Sequence, residues 1–98
     1  MTKEIRKFYI YEPTDGAHHV IKMHKGARVI SCAMDGTDVA IWAIINPEHK
    51  LKERAFSVYT DGSNLKFWDR KTSTFVGTVI DKSGSMVAST WHIFEEHD

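Results

Sequence analysis

The chain has 98 residues, 42% of them apolar and 27% charged, which sets it among small globular domains and outside the disordered and low-complexity classes. Thirteen Lys and Arg balance thirteen Asp and Glu. A protein without a basic excess lacks the counterion-release drive for non-specific binding to duplex nucleic acid. Three Trp, three Tyr and five Phe give the short chain large rings with which to fill a core.

Taken in chain order, residues 5–12 are rich in Ile, Phe and Tyr and read as a first strand, closed by the turn Thr14-Asp15-Gly16. His18 to Met23 reads as a second strand and Arg28 to Met34 as a third, with Ile30, Cys32 and Met34 on one face. Asp35-Gly36-Thr37-Asp38 then parts two apolar runs, and Asp-Gly suits the positive φ of a tight hairpin. The run Val39 to Ile45 is apolar at both parities, so it is expected to be a central strand buried on both faces. Its β-branched residues favour strand over helix. Asn46-Pro47 ends it, and 47–53 reads as a charged loop.

Arg54 to Thr60 alternates, with Phe56 and Val58 on one face and Ala55, Ser57 and Tyr59 on the other. Asp61-Gly62 turns the chain, and residues 63–72 have room for one short helix capped by Ser63. Thr74 to Ile80, a turn at 81–85 and a last strand from Met86 to Phe94 complete the pattern, with 95–98 as a frayed, solvated tail. Six to seven strands at this spacing predict one all-β domain over 1–98, an antiparallel β-sandwich or small barrel. Trp42 and Trp91-His92 are expected in or beside its core, with His92 partly buried and hydrogen-bonded.

Cys32 is the only cysteine, set among apolar neighbours, so no internal disulfide forms and the thiol is expected to be inert. The first residues are charged and lack the apolar core of a signal peptide, and no apolar stretch has the length of a membrane span. A cytoplasmic protein is expected. His18 and His19 point to opposite faces of a strand, His24 lies some 20 Å further along at about 3.3 Å per residue, and no Cys pair assists them. Neither a metal site nor a cofactor is expected. Phosphate loops and nucleophile elbows are absent too, so the expectation is a protein without catalytic residues.

The segments Gly26-Ala27-Arg28-Val29-Ile30-Ser31, Trp42-Ala43 with Asn46-Pro47, Glu53-Arg54-Ala55-Phe56, Phe75-Val76-Gly77-Thr78 and Trp91-His92-Ile93-Phe94-Glu95 carry a resemblance. The chain resembles a family of short, mostly uncharacterised proteins encoded by tailed bacteriophages and prophages, and departs from it at Asp61 to Ser73. The resemblance implies a phage accessory protein in the host cytoplasm and brings no catalytic residues with it.

The segment richest in binding chemistry is Lys66-Phe67-Trp68-Asp69-Arg70-Lys71, two large aromatics beside three cations outside the strands. Rings flanked by cations suit a nucleobase and its phosphate. Lys66, Phe67, Trp68 and Arg70 are therefore the candidate ligand-binding residues, with Arg54 and Tyr59 as lesser candidates for the same pocket; Arg54 also fits a capping role at its strand's start. Two readings follow. In one, the protein sequesters a small ligand such as a cyclic or ADP-ribose-type nucleotide immune signal. In the other, it binds a host or phage protein through aromatic surface and sheet edges. Open edges on so small a domain also predict a homo-oligomer.

Overall fold

The computed structural model describes residues 2–66, 68–82 and 88–97. Seven strands follow one another: β1 (Glu4–Ile10), β2 (His18–His24), β3 (Arg28–Asp35), β4 (Asp38–Ile45), β5 (Leu51–Thr60), β6 (Ser73–Asp81) and β7 (Ser89–Glu96). They form a three-stranded sheet in the order β1-β4-β3 and a four-stranded sheet in the order β2-β5-β7-β6, antiparallel throughout. The two sheets make a sandwich-like fold, and no helix occurs among the described residues, nor one long and apolar enough to cross a membrane.

The hairpin expected at Asp35-Gly36 is present. Asp35 pairs with Asp38, leaving Gly36 and Thr37 as the loop. Gly36 has φ 64° while Thr37 stays negative, the pattern of a type II′ turn, which matches the twist of the strands it joins. Beyond β4, the Asn46 carboxamide accepts from the Glu48 N–H at 3.0 Å and its carbonyl accepts from His49 N at 3.0 Å, so Asn-Pro closes the strand as read.

β4 is the central strand of its sheet, but only one of its faces meets the other sheet. Val39, Ile41, Ala43 and Ile45 are fully buried there, joined by Phe8 and Ile10 of β1 and by Val29, Cys32 and Met34 of β3. The opposing layer supplies Ile21 and Met23, Phe56 and Val58, Ile93 and Val79. Trp42 and Ile44 fall on the outer face and are half-buried, so Trp42 is not a core residue. A run apolar at both parities here signals one core face and one incompletely covered outer face.

β1 ends at Ile10 rather than at residue 12, and further expectations also differ. β5 starts at Leu51, inside the expected loop, because it pairs with β2 as far as His24. β7 runs to Glu96, so Glu95 and Glu96 are strand residues rather than a loose tail, and His97 N donates to Thr72 O at 2.7 Å. Among the described residues of 63–72 no helix forms; Trp68 N donates to Leu65 O and Thr72 N to Asp69 O, the bonds of turns. Ser63 caps nothing: its hydroxyl donates to Asp15 and lies 3.1 Å from Thr60 N. Asp69 Oδ1 accepts from Lys71 N at 2.8 Å, a local bond that competes with a helix in a segment too short to nucleate one cheaply. The expected turn at 81–85 and the first residues of the expected last strand fall largely on 83–87, outside the described residues.

The layers come closest where β3 faces β6. A Cβ built on Gly77 lies 2.6 Å from Cys32 Sγ, so only glycine permits this approach, and a register shift between Phe75 and Gly77 marks the bend. Burial also raises the Cys32 thiol's pKa above its ordinary value, keeping it in the protonated, unreactive form. Gly77→Ala is expected to destabilise the fold, and the further change Cys32→Ala to restore most of the loss. Urea unfolding of the two single variants and the double variant checks this coupling.

Candidate binding surface

Residues opposite one another in an antiparallel register share a face. In the four-stranded sheet, Tyr59 of β5 lies opposite His92 of β7, which lies opposite Thr78 of β6. Ser57, Phe94 and Phe75 make the next row. These residues are on the face turned away from the core. Phe94 is its centre, with the ring centroids of Phe75, Tyr59 and Trp68 at 5.4, 5.9 and 6.0 Å, all edge-to-face. The cluster is only partly covered, since Phe75 stays 57% exposed and Trp68 37%. Around it the same face leaves Val20, Leu51 and Ile80 more than half exposed, and Leu65 of the following loop stands open as well.

Beside the cluster is a groove of about 340 Å³ lined by Tyr59, Asp61, Leu65, Phe75, His92 and Phe94. His92 ties its walls together, with Nε2 2.6 Å from Asp61 Oδ1 and Nδ1 3.0 Å from Thr78 Oγ1. A carboxylate only accepts, so Nε2–H donates to Asp61; in the neutral ring Nδ1 then accepts from the Thr78 hydroxyl. His92 is thus the half-buried, hydrogen-bonded histidine expected from sequence. This hydroxyl–imidazole–carboxylate chain links β6, β7 and the β5–β6 turn.

Of the sequence candidates, the structure brings Trp68 and Tyr59 together, through Phe94. Lys66 and Arg70 are exposed on the adjoining turns and do not line the groove, and Phe67 lies outside the described residues. Arg54 does not join them. It sits inside β5, not at its start, on the opposite face from Tyr59. Its guanidinium makes a two-pronged pair with Glu95, Nε–Oε2 2.5 Å and Nη2–Oε1 2.7 Å, and donates to the Ala27 carbonyl at 2.5 Å. That pair is mostly buried and forms the wall of a separate cleft of about 590 Å³ whose lining mixes Lys25, Lys52, Glu53 and Glu96. Arg54 is therefore a bonded structural residue there. Phe75 and Phe94 were missed as candidates: Phe94 shares the parity of His92 on β7, but only the strand pairing and the bulge before Gly77 bring Phe75 to the same face.

On the core side, His19 faces Phe56, and its Nε2 is buried without a hydrogen-bond partner among the described residues. Burial, with a smaller contribution from neighbouring His18, holds its pKa below the ordinary value. The unfolded chain therefore binds this proton first as the pH falls through about 6.5, and stability declines from there toward the lower folded-state pKa. The melting temperature is expected to drop between pH 7.5 and 5.5, and to drop less in His19→Gln. Melting curves of both proteins across that range check it.

No group of three His, Cys, Asp or Glu side chains comes together for a metal ion among the described residues. The fold and its exposed aromatic face define an all-β sandwich domain with one conspicuous open sheet. The chain belongs to a domain family of unknown function, DUF7352, whose model matches residues 1–98. No curated protein and no solved structure shows significant similarity to it.

Proposed function

We propose that this chain is a non-catalytic, cytoplasmic binding module that engages a protein partner through the outer face of the four-stranded sheet. The carrying observation is the half-open aromatic cluster around Phe94, continuous with exposed Leu65, Phe75 and Ile80. Aromatic anchors beside a groove surrounded by accessible apolar surface are the make-up of a protein-binding hot spot. The groove has room for one large apolar side chain of the partner. In an accessory protein of the kind the sequence resemblance implies, that partner is a host or phage protein bound stoichiometrically.

The nucleotide-sequestering reading retains one observation in its favour. Trp68 stands beside the exposed cation Arg70 on a turn, the elements of a stacked base with a neighbouring phosphate. Against it, the groove is lined by the Asp61 carboxylate, and Arg54 is held by Glu95. The protein reading is therefore the better supported.

Trp68→Ala is expected to weaken partner binding by about 2 kcal/mol or more, roughly thirtyfold, with little change in melting temperature. Mass spectrometry of material co-purifying with wild type, Trp68→Ala, Phe75→Ser and the opposite-face variant Ile5→Ser is the check. A protein retained by wild type and Ile5→Ser, and lost from the other two, bears the reading out. A retained nucleotide instead, with binding made less salt-sensitive by Arg70→Ala, transfers the function to ligand capture.

A further inference from the structure

The other sheet has an outer face of its own, which nothing so far explains. On it Ile5, Lys7 and Tyr9 of β1 lie opposite Ile44, Trp42 and Ala40 of β4, and Ser31 and Ala33 of β3 complete the rows. Ile5 is 62% exposed and Tyr11, stacked on Tyr9, is 67% exposed. Trp42 and Ile44 are half-buried beside them. Ala33 and Ala40, both small, keep the middle of the face flat.

Its charges are sorted by end. Arg28 stands opposite Ile44 at one end, and makes no ion pair or side-chain hydrogen bond among the described residues. Asp35 and Asp38 stand opposite one another at the far end. Lys7, nearer the middle, pairs with Asp35 at 3.5 Å, so the two carboxylates outnumber the one local cation.

We propose that this face is a homodimer interface. Two copies stack face to face with their strands antiparallel, about a two-fold axis lying between the sheets and across the strands. That axis brings the Arg28 end of each copy over the Asp35 and Asp38 end of the other. An axis along the strands would stack like charge on like. The two middle rows then meet each other, Trp42 and Lys7 of each copy over Ala40 and Tyr9 of its partner, the reciprocal contacts an isologous interface requires. Eight-residue strands at about 3.3 Å and three strands about 4.8 Å apart give a face of roughly 26 by 14 Å. Two such faces bury on the order of 1,000 Å² once side-chain relief is counted, the area of a reversible dimer. The proposal is independent of the partner surface on the four-stranded sheet, which remains free in the dimer.

Sedimentation velocity of the full chain from micromolar to near-millimolar concentration tests it, with circular dichroism melts confirming that each variant is folded. Wild type is expected to shift from monomer to dimer across that range. Ile5→Glu, at an exposed position, and Arg28→Asp are each expected to weaken the dimer about tenfold or more, since each sets a carboxylate over the partner's acidic end. The double variant Arg28→Asp with Asp35→Arg is expected to recover most of the loss, because the swapped ends attract again. Phe75→Ser on the opposite sheet is expected to leave the dimer unchanged. A wild type that stays monomeric throughout overturns the proposal, as does a dimer weakened by Phe75→Ser but not by Ile5→Glu. Failure of the charge swap to rescue a folded variant overturns the antiparallel stacking. A different protein bound at this face by a monomeric chain overturns the choice of occupant.

Discussion

Replacing Glu95 by Ala is expected to cost about 2–3 kcal/mol, somewhat less than the roughly 3–5 kcal/mol for breaking a fully buried ion pair. The discount follows from geometry, because the Arg54 and Glu95 side chains keep 18% and 15% of their exposure. What is lost is less the attraction than the pairing of a desolvated guanidinium, left with only the Ala27 carbonyl. For a domain of this size the change amounts to a fall in melting temperature of about 10 °C or more. Replacing both residues together, Arg54→Met with Glu95→Leu, removes the stranded charge and is expected to return stability close to wild type. Thermal melts of the two variants decide the matter, and equal damage in both would mean that the residues matter for shape rather than charge.

Phe56→Ala carries the second large effect, about 3–5 kcal/mol, as the ring is fully buried between the sheets on a strand paired from both sides. That is a substantial part of the whole stability of a small domain. Trp42→Ala, by contrast, is expected to cost about half as much, because its half-buried ring packs on the outer face and leaves no enclosed cavity. Chemical denaturation of the pair ranks them, and a Trp42 variant worse than the Phe56 variant would relocate the core.

The same comparison shows what periodicity reveals and what it withholds. Alternation correctly set Phe56 and Val58 on one face and Ala55, Ser57 and Tyr59 on the other, and Asp35-Gly36 correctly marked a hairpin, since both depend on neighbours within a few residues. All seven strands were legible for that reason, though not their ends. Trp42 was misplaced because an apolar run of both parities does not say which face another sheet will cover. The short helix at 63–72 failed because Ser63 is spent on Asp15, a partner 48 residues away, which no local rule anticipates.

The candidate surface was legible in part. Trp68 and Tyr59 stood out as large rings outside or at the margin of the core, and they do meet. The residue that unites them is Phe94, which the chain places 35 residues beyond Tyr59; only the antiparallel pairing of β5 with β7 brings them together. Arg54 was grouped with them by closeness in sequence, yet its odd spacing from Tyr59 puts the two on opposite faces of one strand. Glu95 was read as tail because charge at a chain end usually means solvent, while here it neutralises an arginine inside the fold.

The two register shifts, at Val29–Ser31 in β3 and at Phe75–Gly77 in β6, both fall on strands that border open sheet edges. A strand kinked by an extra residue offers an incoming chain no continuous row of amides to copy, and it coils away from any flat template. β1, the opposite border of the smaller sheet, is blunted differently, with Glu4, Arg6 and Lys7 along its length. Edge-to-edge growth into fibrils is discouraged on those three borders, which leaves β2, the fourth border, and the broad faces as open surface. Straightening β6 by deleting Val76 would therefore be felt first as precipitation at high concentration.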